Sequence, residues 1–275
     1  MTSSRQPSPV AGLVDSHLHT TFSCDGRATM VEMVEQAIRL GLREITFTDH
    51  LDLDAADDCR DYLRLDDYLA ELARCQALYG DRVIIRAGLE VGDVHRYGTE
   101  IAQRLAGAPL DFLIGSVHYV DGLFAGGVEY ASSRDAATGI GAYFEQVLLA
   151  AATDGYDVHG HLDVFKRRSR AVWGPFDPAP WAEPIREALR RLIAGGRGIE
   201  INTSGVRTDA GEPCPGLPIL RWYKELGGEI LTLGSDSHRV AHLGYGLEIG
   251  AALARAAGFT RVCTFAQRRP VWHAL

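Results

Sequence analysis

The stretch "LVDSHLHTTFSCDG" (residues 13–26) places two histidines two positions apart, just behind an aspartate. The run is short, apolar at its start and preceded by a Ser/Pro-containing segment, which favours a β-strand. Side chains at i and i+2 of a strand point to the same face, so His17 and His19 would stand side by side, with Asp15 one step below them. The pair is either two metal ligands or two ordinary polar neighbours. Residues elsewhere in the chain distinguish these two interpretations.

The composition is that of a globular protein with a large core. The chain has 275 residues, of which 46% are hydrophobic and 23% charged, and this length fits one or two domains. A net charge of -8 argues against a nucleic-acid partner, which would need a basic face. The five cysteines are scattered and odd in number, as is typical of reduced thiols in the cytoplasm. No run is typical of a signal peptide or a membrane span, so we expect a cytoplasmic protein without a membrane partner.

Strand-like and helix-like segments alternate along residues 13–275, after a flexible leader that we assign to residues 1–12. The candidate strands are 13–19, 44–50, 83–91, 112–119, 157–162, 198–203 and 229–235. The candidate helices lie near 29–40, 66–79, 97–106, 139–153, 181–195, 217–226 and 247–257. This alternation predicts one α/β domain with a parallel sheet, either a barrel or a doubly wound sheet.

Metal-compatible residues recur at the carboxyl ends of the candidate strands. Besides the first pair they are Asp49, His50, Glu90, His118, His159, His161, Asp163, Asp236 and His238. In parallel α/β folds these ends meet at one face, which carries the active site in barrels. Several histidines and a buried carboxylate on one face would be costly without partners, and divalent ions are natural partners. We therefore interpret His17 and His19 as metal ligands.

The number of candidate ligands indicates more than one ion. The nine candidates are His17, His19, Asp25, His50, Glu90, His118, His161, Asp236 and His238. A single ion takes three or four protein ligands, so nine predict two or three divalent ions. Nitrogen and oxygen ligands without thiolate suit Zn, Mn or Fe. Glu90 could bridge two ions, because a carboxylate offers two oxygens.

From about residue 13 to 245 the chain resembles the polymerase-and-histidinol-phosphatase (PHP) family of metal-dependent phosphoesterases. The segments that carry the resemblance are, in order, "DSHLHT", "TDH", "GLEVG", "IGSVHY", "GHLDVFKR", "IEINTSGVR" and "GSDSH". The last strand and the pairing of "GHLDVFKR" with "IEINTSGVR" resemble the histidinol-phosphate phosphatase branch in particular. The resemblance implies that residues 13–275 form one distorted (β/α)7 TIM-like barrel with a trinuclear metal site.

The resemblance also assigns ligands to each ion. It implies that the first ion is held by His17, His19, Glu90 and Asp236, the second by Glu90, His118 and His161, and the third by His50, His238 and one more residue. Many relatives have a histidine in the loop after "DSHLHT", where this chain has "CDG", so Asp25 takes that place. His159 is a second departure from the family pattern, and we interpret it as a packing residue.

The activity implied by the resemblance is hydrolysis of L-histidinol phosphate to L-histidinol and phosphate, a step of histidine biosynthesis. A hydroxide bridging two ions would attack phosphorus, with Glu90 and Asp236 as catalytic ligands. Arg207, and Lys166 or Arg167, would bind the phosphoryl oxygens, which a planar guanidinium meets in pairs. Asp49 or a metal-bound water would protonate the leaving group.

Acidic residues outside the ligand set also receive expected roles. We expect Asp15 and Asp163 to orient the ligand histidines. The aspartate-rich segment 52–67, "DLDAADDCRDYLRLDD", is either a solvated loop before a helix or a lid that attracts a cationic part of the substrate.

Other functions remain open at this point. The nearest is a PHP phosphoesterase acting on another small phosphate ester, a nucleotide or a cyclic phosphodiester. An amidohydrolase-type barrel also begins with H-x-H, but it would require a lysine at a middle strand end. A metal-binding barrel without catalytic activity would be expected to lack some of the metal ligands, whereas this chain has the full set. The sequence contains no G-x-S-x-G elbow and no P-loop.

Overall fold

The computed structural model describes residues 8–275. Its strands are β1 (Val14–Leu18), β2 (Glu44–Phe47), β3 (His50–Leu51), β4 (Ile84–Gly92), β5 (Phe112–Ser116), β6 (Tyr119–Val120), β7 (Leu123–Phe124), β8 (Val158–His159), β9 (Gly198–Asn202), β10 (Leu231–Gly234), β11 (Arg261–Ala266) and β12 (Arg269–Ala274). Its α-helices are α1 (Met30–Leu40), α2 (Leu65–Tyr79), α3 (Val94–Arg104), α4 (Val128–Ser132), α5 (Ala136–Ala151), α6 (Lys166–Trp173), α7 (Ala182–Ala194), α8 (Leu217–Glu225) and α9 (Leu247–Ala256).

Seven parallel strands form a barrel in the order β1-β2-β4-β5-β8-β9-β10. The first and last of them meet at a parallel bridge between Leu18 and Ser237. There the amide of Asp236 donates to the carbonyl of His17 at 2.7 Å, and the amide of His19 donates to the carbonyl of Ser237 at 2.8 Å. The barrel is distorted, because β8 has only two residues. The predicted (β/α)7 barrel is confirmed.

The helices pack their apolar faces against the outside of the barrel. Helix α1 begins with a capping box in which the Thr29 hydroxyl accepts from the amide of Glu32, while the Glu32 carboxylate accepts from the amide of Thr29. Its inward residues Met30, Met33 and Val34 are buried. Each such side chain stabilises the fold by about 1.5–3 kcal/mol.

A C-terminal hairpin of β11 and β12, which the sequence analysis did not predict, covers the amino end of the barrel. Phe265 in β11 stacks on Phe112 at the start of β5, with ring centroids 4.9 Å apart. The turn residues Gln267 and Arg268 both have positive φ, at 50° and 63°. Turns with positive φ usually contain Asn or Gly. Neither residue is present at these two positions, so the hairpin has no recognisable turn motif in the sequence.

Six of the seven barrel strands are shorter than predicted, and the shortening of β5 and β8 moves two candidate ligands out of the strands. β5 ends at Ser116 instead of residue 119, and β8 ends at His159 instead of residue 162. His118 and His161 therefore lie in loops beyond the strands. Helices α4 and α6 were also not predicted, and α6 begins directly after the "GHLDVF" loop.

The cysteines differ from expectation. Cys24 and Cys59 form a disulfide with Cα atoms 5.6 Å apart, so the expectation of five reduced thiols is wrong for this pair. Cys75, Cys214 and Cys263 are free and buried.

Residues 1–7 of the expected leader lie outside the described residues, and Val10, near its end, is buried in the core. No helix in the described part of the chain is both long and apolar enough to cross a membrane.

Candidate metal centre

The predicted ligands converge at the open, carboxyl end of the barrel. A cavity of about 290 Å³ opens there. Seven of the nine predicted ligands line it, namely Asp25, His50, Glu90, His118, His161, Asp236 and His238. The other two, His17 and His19, lie behind it against Glu90. Side chains from distant parts of the chain thus meet in one pocket.

Glu90 lies at the centre of this group. Its Oε1 is 3.2 Å from Nε2 of His118 and 2.8 Å from Nε2 of His161. Its Oε2 is 3.1 Å from Nε2 of His17 and 3.4 Å from Nε2 of His19. Oε2 also lies 3.2 Å from Nδ1 of His50. The two carboxylate oxygens therefore face separate sets of imidazoles, which is the arrangement that a bridging carboxylate needs.

A second set of ligands lies closer to solvent. The ring of His19 is stacked between those of His50 and His238, with centroids 4.2 and 4.1 Å away. Oδ2 of Asp25 is 3.0 Å from Nε2 of His238 and 3.9 Å from Nε2 of His50. The residue that replaces a histidine of many relatives thus lies beside both partners predicted for it.

The donor set fits divalent cations. Three groups offer ligand atoms within 4.8 Å of one another: His19, His50 and His238; His17, His19 and Asp236; and His50, Glu90 and His118. All donors in these groups are imidazole nitrogens or carboxylate oxygens, as borderline and hard metals such as Zn, Mn and Fe prefer.

Electrostatics keep the central carboxylates ionised. Burial raises the pKa of Glu90, but the nearby imidazoles of His17 and His118 outweigh it and hold that pKa well below the usual range. Burial likewise raises the pKa of Asp236, which Arg167 and His17 then hold well below its usual value. Both groups are therefore anionic at neutral pH, as metal ligands must be.

Further carboxylates and one hydroxyl contact the outward nitrogens of the histidine rings. Glu200 Oε1 is 2.6 Å from Nδ1 of His17, and Ser23 Oγ is 3.2 Å from Nδ1 of His19. Asp52 Oδ1 is 2.9 Å from Nδ1 of His118. The sequence analysis missed all three. The inward position of Glu200, two residues before Asn202 on β9, is the period-2 signal that could have found it.

Asp15 contacts a ligand histidine only through the backbone, and the role expected for Asp163 is wrong. The carboxylate of Asp15 accepts from the amide of His17 at 3.4 Å and from the amides of Ser235 and Gly244, so it fastens β1 to the end of β10. Asp163 lies 3.0 Å from Nζ of Lys166. Neither carboxylate contacts a ligand imidazole.

Among the predicted phosphate-binding residues, only Arg167 lines the pocket. It pairs with Asp236 and donates to Oδ1 of Asn202 at 3.2 Å. Arg207 instead donates to the backbone carbonyls of Ser235 and Asp236, at 2.9 and 3.0 Å. Its guanidinium thus supports the loop that carries Asp236.

Lys166 and Asp49 do not lie in the pocket, contrary to the predicted roles. Lys166 is buried and donates to Glu212 at 3.0 Å and to the carbonyl of Pro213 at 2.7 Å. Asp49 is buried and accepts from the amide of Thr20 and the hydroxyl of Ser23, both at 2.7 Å. Asp49 therefore shapes the loop after β1, and its geometry does not support a role as the leaving-group acid.

His159 agrees with the packing interpretation. It is fully buried, and neither ring nitrogen has a hydrogen-bond partner within residues 8–275. Burial lowers its pKa to about 3, so the ring is neutral.

The aspartate-rich segment forms part of the pocket wall. Asp57 and Asp58 line the cavity together with Tyr119 and Phe124. Arg104 of α3 pairs with Asp61 and so holds the middle of segment 52–67 against that helix. The wall of the pocket is therefore acidic and aromatic beyond the metal ligands.

A seven-stranded parallel barrel with a cluster of histidines and carboxylates at its open face defines a metal-dependent hydrolase. The chain belongs to the PHP domain family, whose model matches residues 15–204.

Similar proteins cover nearly the whole chain. A histidinol-phosphatase of Lactococcus lactis is 32% identical over 260 residues, which cover 92% of this chain and 94% of that protein. A histidinol-phosphatase of Bacillus subtilis is 27% identical, covering 85% of this chain and 96% of that protein. A crystal structure of histidinol phosphate phosphatase from Lactococcus lactis, in complex with zinc, L-histidinol and phosphate, covers 95% of this chain and 99% of that one, with a TM-score of 0.87 and 30% identity.

Proposed function

We propose that the protein is a histidinol-phosphatase, which hydrolyses the phosphate monoester of L-histidinol phosphate. The observation that carries the proposal is the position of Glu90 between two pairs of imidazoles, at the base of a pocket that Arg167 also lines. The likeness to a crystal structure that holds zinc, L-histidinol and phosphate, the last two being the expected products, supports the choice of substrate.

We propose that the nine side chains of the pocket hold two or three divalent ions, zinc among them. Glu90 would be shared between two ions, because its two oxygens face separate sets of histidines. His50, His238 and Asp25 would hold the outermost ion. When bound, such ions lower the pKa of water and neutralise phosphoryl oxygens.

Arg167 binds and orients the phosphoryl group in this proposal. A guanidinium has five N–H donors, so the contacts with Asp236 and Asn202 leave others for phosphate oxygens. Its fixed partners also hold the planar fork in one orientation before the substrate arrives.

The rest of the substrate would contact the acidic and aromatic wall. L-histidinol carries an ammonium group and an imidazole, and Asp57, Asp58, Tyr119 and Phe124 offer carboxylates and ring faces to them. A cavity of about 290 Å³ lies at the small end of ligand pockets, which favours a small phosphate ester over a larger ligand.

A substrate panel tests the proposal. The purified, metal-loaded protein is expected to release phosphate from L-histidinol phosphate with a higher kcat/KM than from other monoesters, nucleotides or cyclic phosphodiesters. If it releases none from histidinol phosphate but cleaves another ester well, the alternative of a PHP phosphoesterase with a different substrate replaces the proposal.

We also propose that the protein acts in the cytoplasm, without nucleic acid as a partner. The net charge of -8 argues against the broad basic face that a nucleic-acid partner requires. Three of the five cysteines are free thiols, as is usual in the cytoplasm, whereas the disulfide between Cys24 and Cys59 is unusual there. Cell fractionation with an antibody against the chain tests the location.

A further inference from the structure

Asp52 contacts two predicted metal ligands at once. Its Oδ1 lies 2.9 Å from Nδ1 of His118, and its Oδ2 lies 3.1 Å from Nδ1 of His50. The side chain is buried, with 4% of its surface exposed. One carboxylate thus lies between two imidazoles, one in β3 and the other in the loop after β5.

The opposite nitrogens of both rings point to the metal-binding carboxylates. Nε2 of His118 is 3.2 Å from Oε1 of Glu90, and Nε2 of His50 is 3.9 Å from Oδ2 of Asp25. A neutral imidazole that donates its Nδ1 proton to a carboxylate presents a lone pair at Nε2. The hydrogen bond with Asp52 therefore leaves Nε2 of His118 for a cation, and the same carboxylate lies 3.1 Å from the corresponding nitrogen of His50.

Nδ1 of His50 also lies 3.2 Å from Oε2 of Glu90, so the ring has a second anionic neighbour on the same side. Nδ1 of His50 thus lies within ion-pair distance of Asp52 and Glu90 but forms no hydrogen bond within residues 8–275, while Nε2 lies on the side of Asp25.

The backbone is built to accommodate this carboxylate. His50 and Leu51 of β3 pair in register with Glu90 and Val91 of β4, which brings Asp52 next to Gly92. A Cβ atom at Gly92 would lie 1.8 Å from Oδ1 of Asp52. Only glycine at this position leaves room for the Asp52 carboxylate beside His118.

We propose that Asp52 is a positioning residue that aligns His50 and His118 and so couples two ion sites of the centre. The proposal rests on the metal centre described under the proposed function, but it does not depend on the substrate. It assigns no direct contact with substrate to Asp52.

Metal retention tests the proposal, with Asp52→Asn compared to Asp54→Asn. Asp54 is a matched control, because it is also buried in the same segment but pairs with Arg96 and Tyr97 instead of a histidine. Each protein is loaded with zinc, passed through a desalting column and assayed for zinc per chain. Loss of a contact of this kind typically weakens metal binding roughly 10- to 100-fold. We expect Asp52→Asn to retain at least one ion fewer than the wild type, and Asp54→Asn to retain the same number.

Kinetics give a second readout. For Asp52→Asn, kcat is expected to fall at limiting zinc and to recover in excess zinc, while KM for the phosphate ester changes little. Equal zinc retention by Asp52→Asn and Asp54→Asn would overturn the proposal.

If Asp52→Asn does not fold, Gly92→Ala decides, because it displaces the carboxylate without removing it. This variant is expected to lose zinc, and full retention by folded Gly92→Ala would also overturn the proposal. Because zinc is counted without substrate, a wild type that leaves histidinol phosphate intact would refute the proposed substrate and not the role of Asp52.

Discussion

The inner and outer sides of the metal centre differ in their access to solvent. We call His17, His19, Glu90, His118, His161 and Asp236 the inner group, and Asp25, His50 and His238 the outer group. Side chains of the inner group are at most 5% exposed, whereas those of Asp25, His238 and His50 are 49%, 24% and 16% exposed.

The difference has an energetic meaning. Buried carboxylates that remain ionised require cations, because an unpaired charge costs several kcal/mol in the interior. In the proposed centre, the inner group would therefore hold its ions tightly, whereas solvent would compensate for the loss of an ion from the outer group at small cost. Substitutions in the two groups should differ in activity and in the number of ions lost.

The largest effect is expected for Glu90→Gln, which removes the charge shared by both inner histidine pairs. We expect kcat to fall roughly a thousandfold and two ions to be lost, as measured by steady-state kinetics and metal analysis. Glu44→Gln is a matched control, because Glu44 is equally buried but pairs with Arg86 at the amino end of the barrel. Activity close to wild type in Glu90→Gln would contradict the central role of this carboxylate.

The next effect concerns Arg167, which contacts Asp236 of the inner group from inside the pocket. Charge-assisted hydrogen bonds contribute about 1.5–3 kcal/mol, so Arg167→Ala is expected to lower kcat/KM roughly 10- to 150-fold. Arg207→Ala should have a smaller effect, since Arg207 donates to backbone carbonyls and lies over the ring of Tyr245, outside the pocket. A larger loss in Arg207→Ala than in Arg167→Ala would reverse the assignment.

A smaller effect is expected in the outer group. The Asp25→Ala variant is expected to bind one ion fewer than the wild type, because one partly exposed ligand is removed. Its kcat is expected to be roughly tenfold lower. Asp25→His, which restores the residue of many relatives, should retain the ion. Metal counts distinguish the groups, and a loss of two ions from Asp25→Ala would show that the inner and outer groups are not separable.

The smallest effect concerns His159, a buried histidine outside both groups. Its pKa of about 3 in the folded chain lies below the usual 6.5, so only the unfolded chain takes up a proton as the pH falls from 6.5. Its contribution to stability is therefore present above pH 6.5 and is lost on acidification. Between pH 6.5 and 5, the wild type should lose about 1.5 kcal/mol more unfolding free energy than His159→Leu.

Urea unfolding at each pH measures the difference in unfolding free energy between the wild type and His159→Leu. Above pH 7.5 this difference should not change with pH. A constant difference from pH 7.5 to 5 would show that His159 takes up its proton in the folded protein too.

The alternation of strand-like and helix-like segments predicted a parallel α/β fold, whereas the choice of a barrel over a doubly wound sheet came from the resemblance to the PHP family. The candidate metal ligands were predicted because metal-compatible residues recur at the strand ends. Each strand is a short apolar run, and a polar ligand follows its end, as in "REITFTDH". What it could not predict depends on contacts between distant segments. Whether Arg167 or Arg207 enters the pocket depends on where α6 begins after a loop, and both arginines follow strand-like segments in the sequence. The same holds for Asp49, whose partners Thr20 and Ser23 lie some thirty residues away along the chain.

The disulfide between Cys24 and Cys59 joins the two loops that carry Asp25 and Asp58. In an entropic model, closing a ring of 35 residues removes about 4 kcal/mol of conformational freedom from the unfolded chain. The ring encloses α1, β2 and β3, so the chain between the loop after β1 and the loop after β3 is covalently closed. The disulfide prevents these two loops from separating, so the pocket cannot widen on this side. A phosphate ester would therefore enter between the other loops of the pocket, or the two linked loops would have to move outward together.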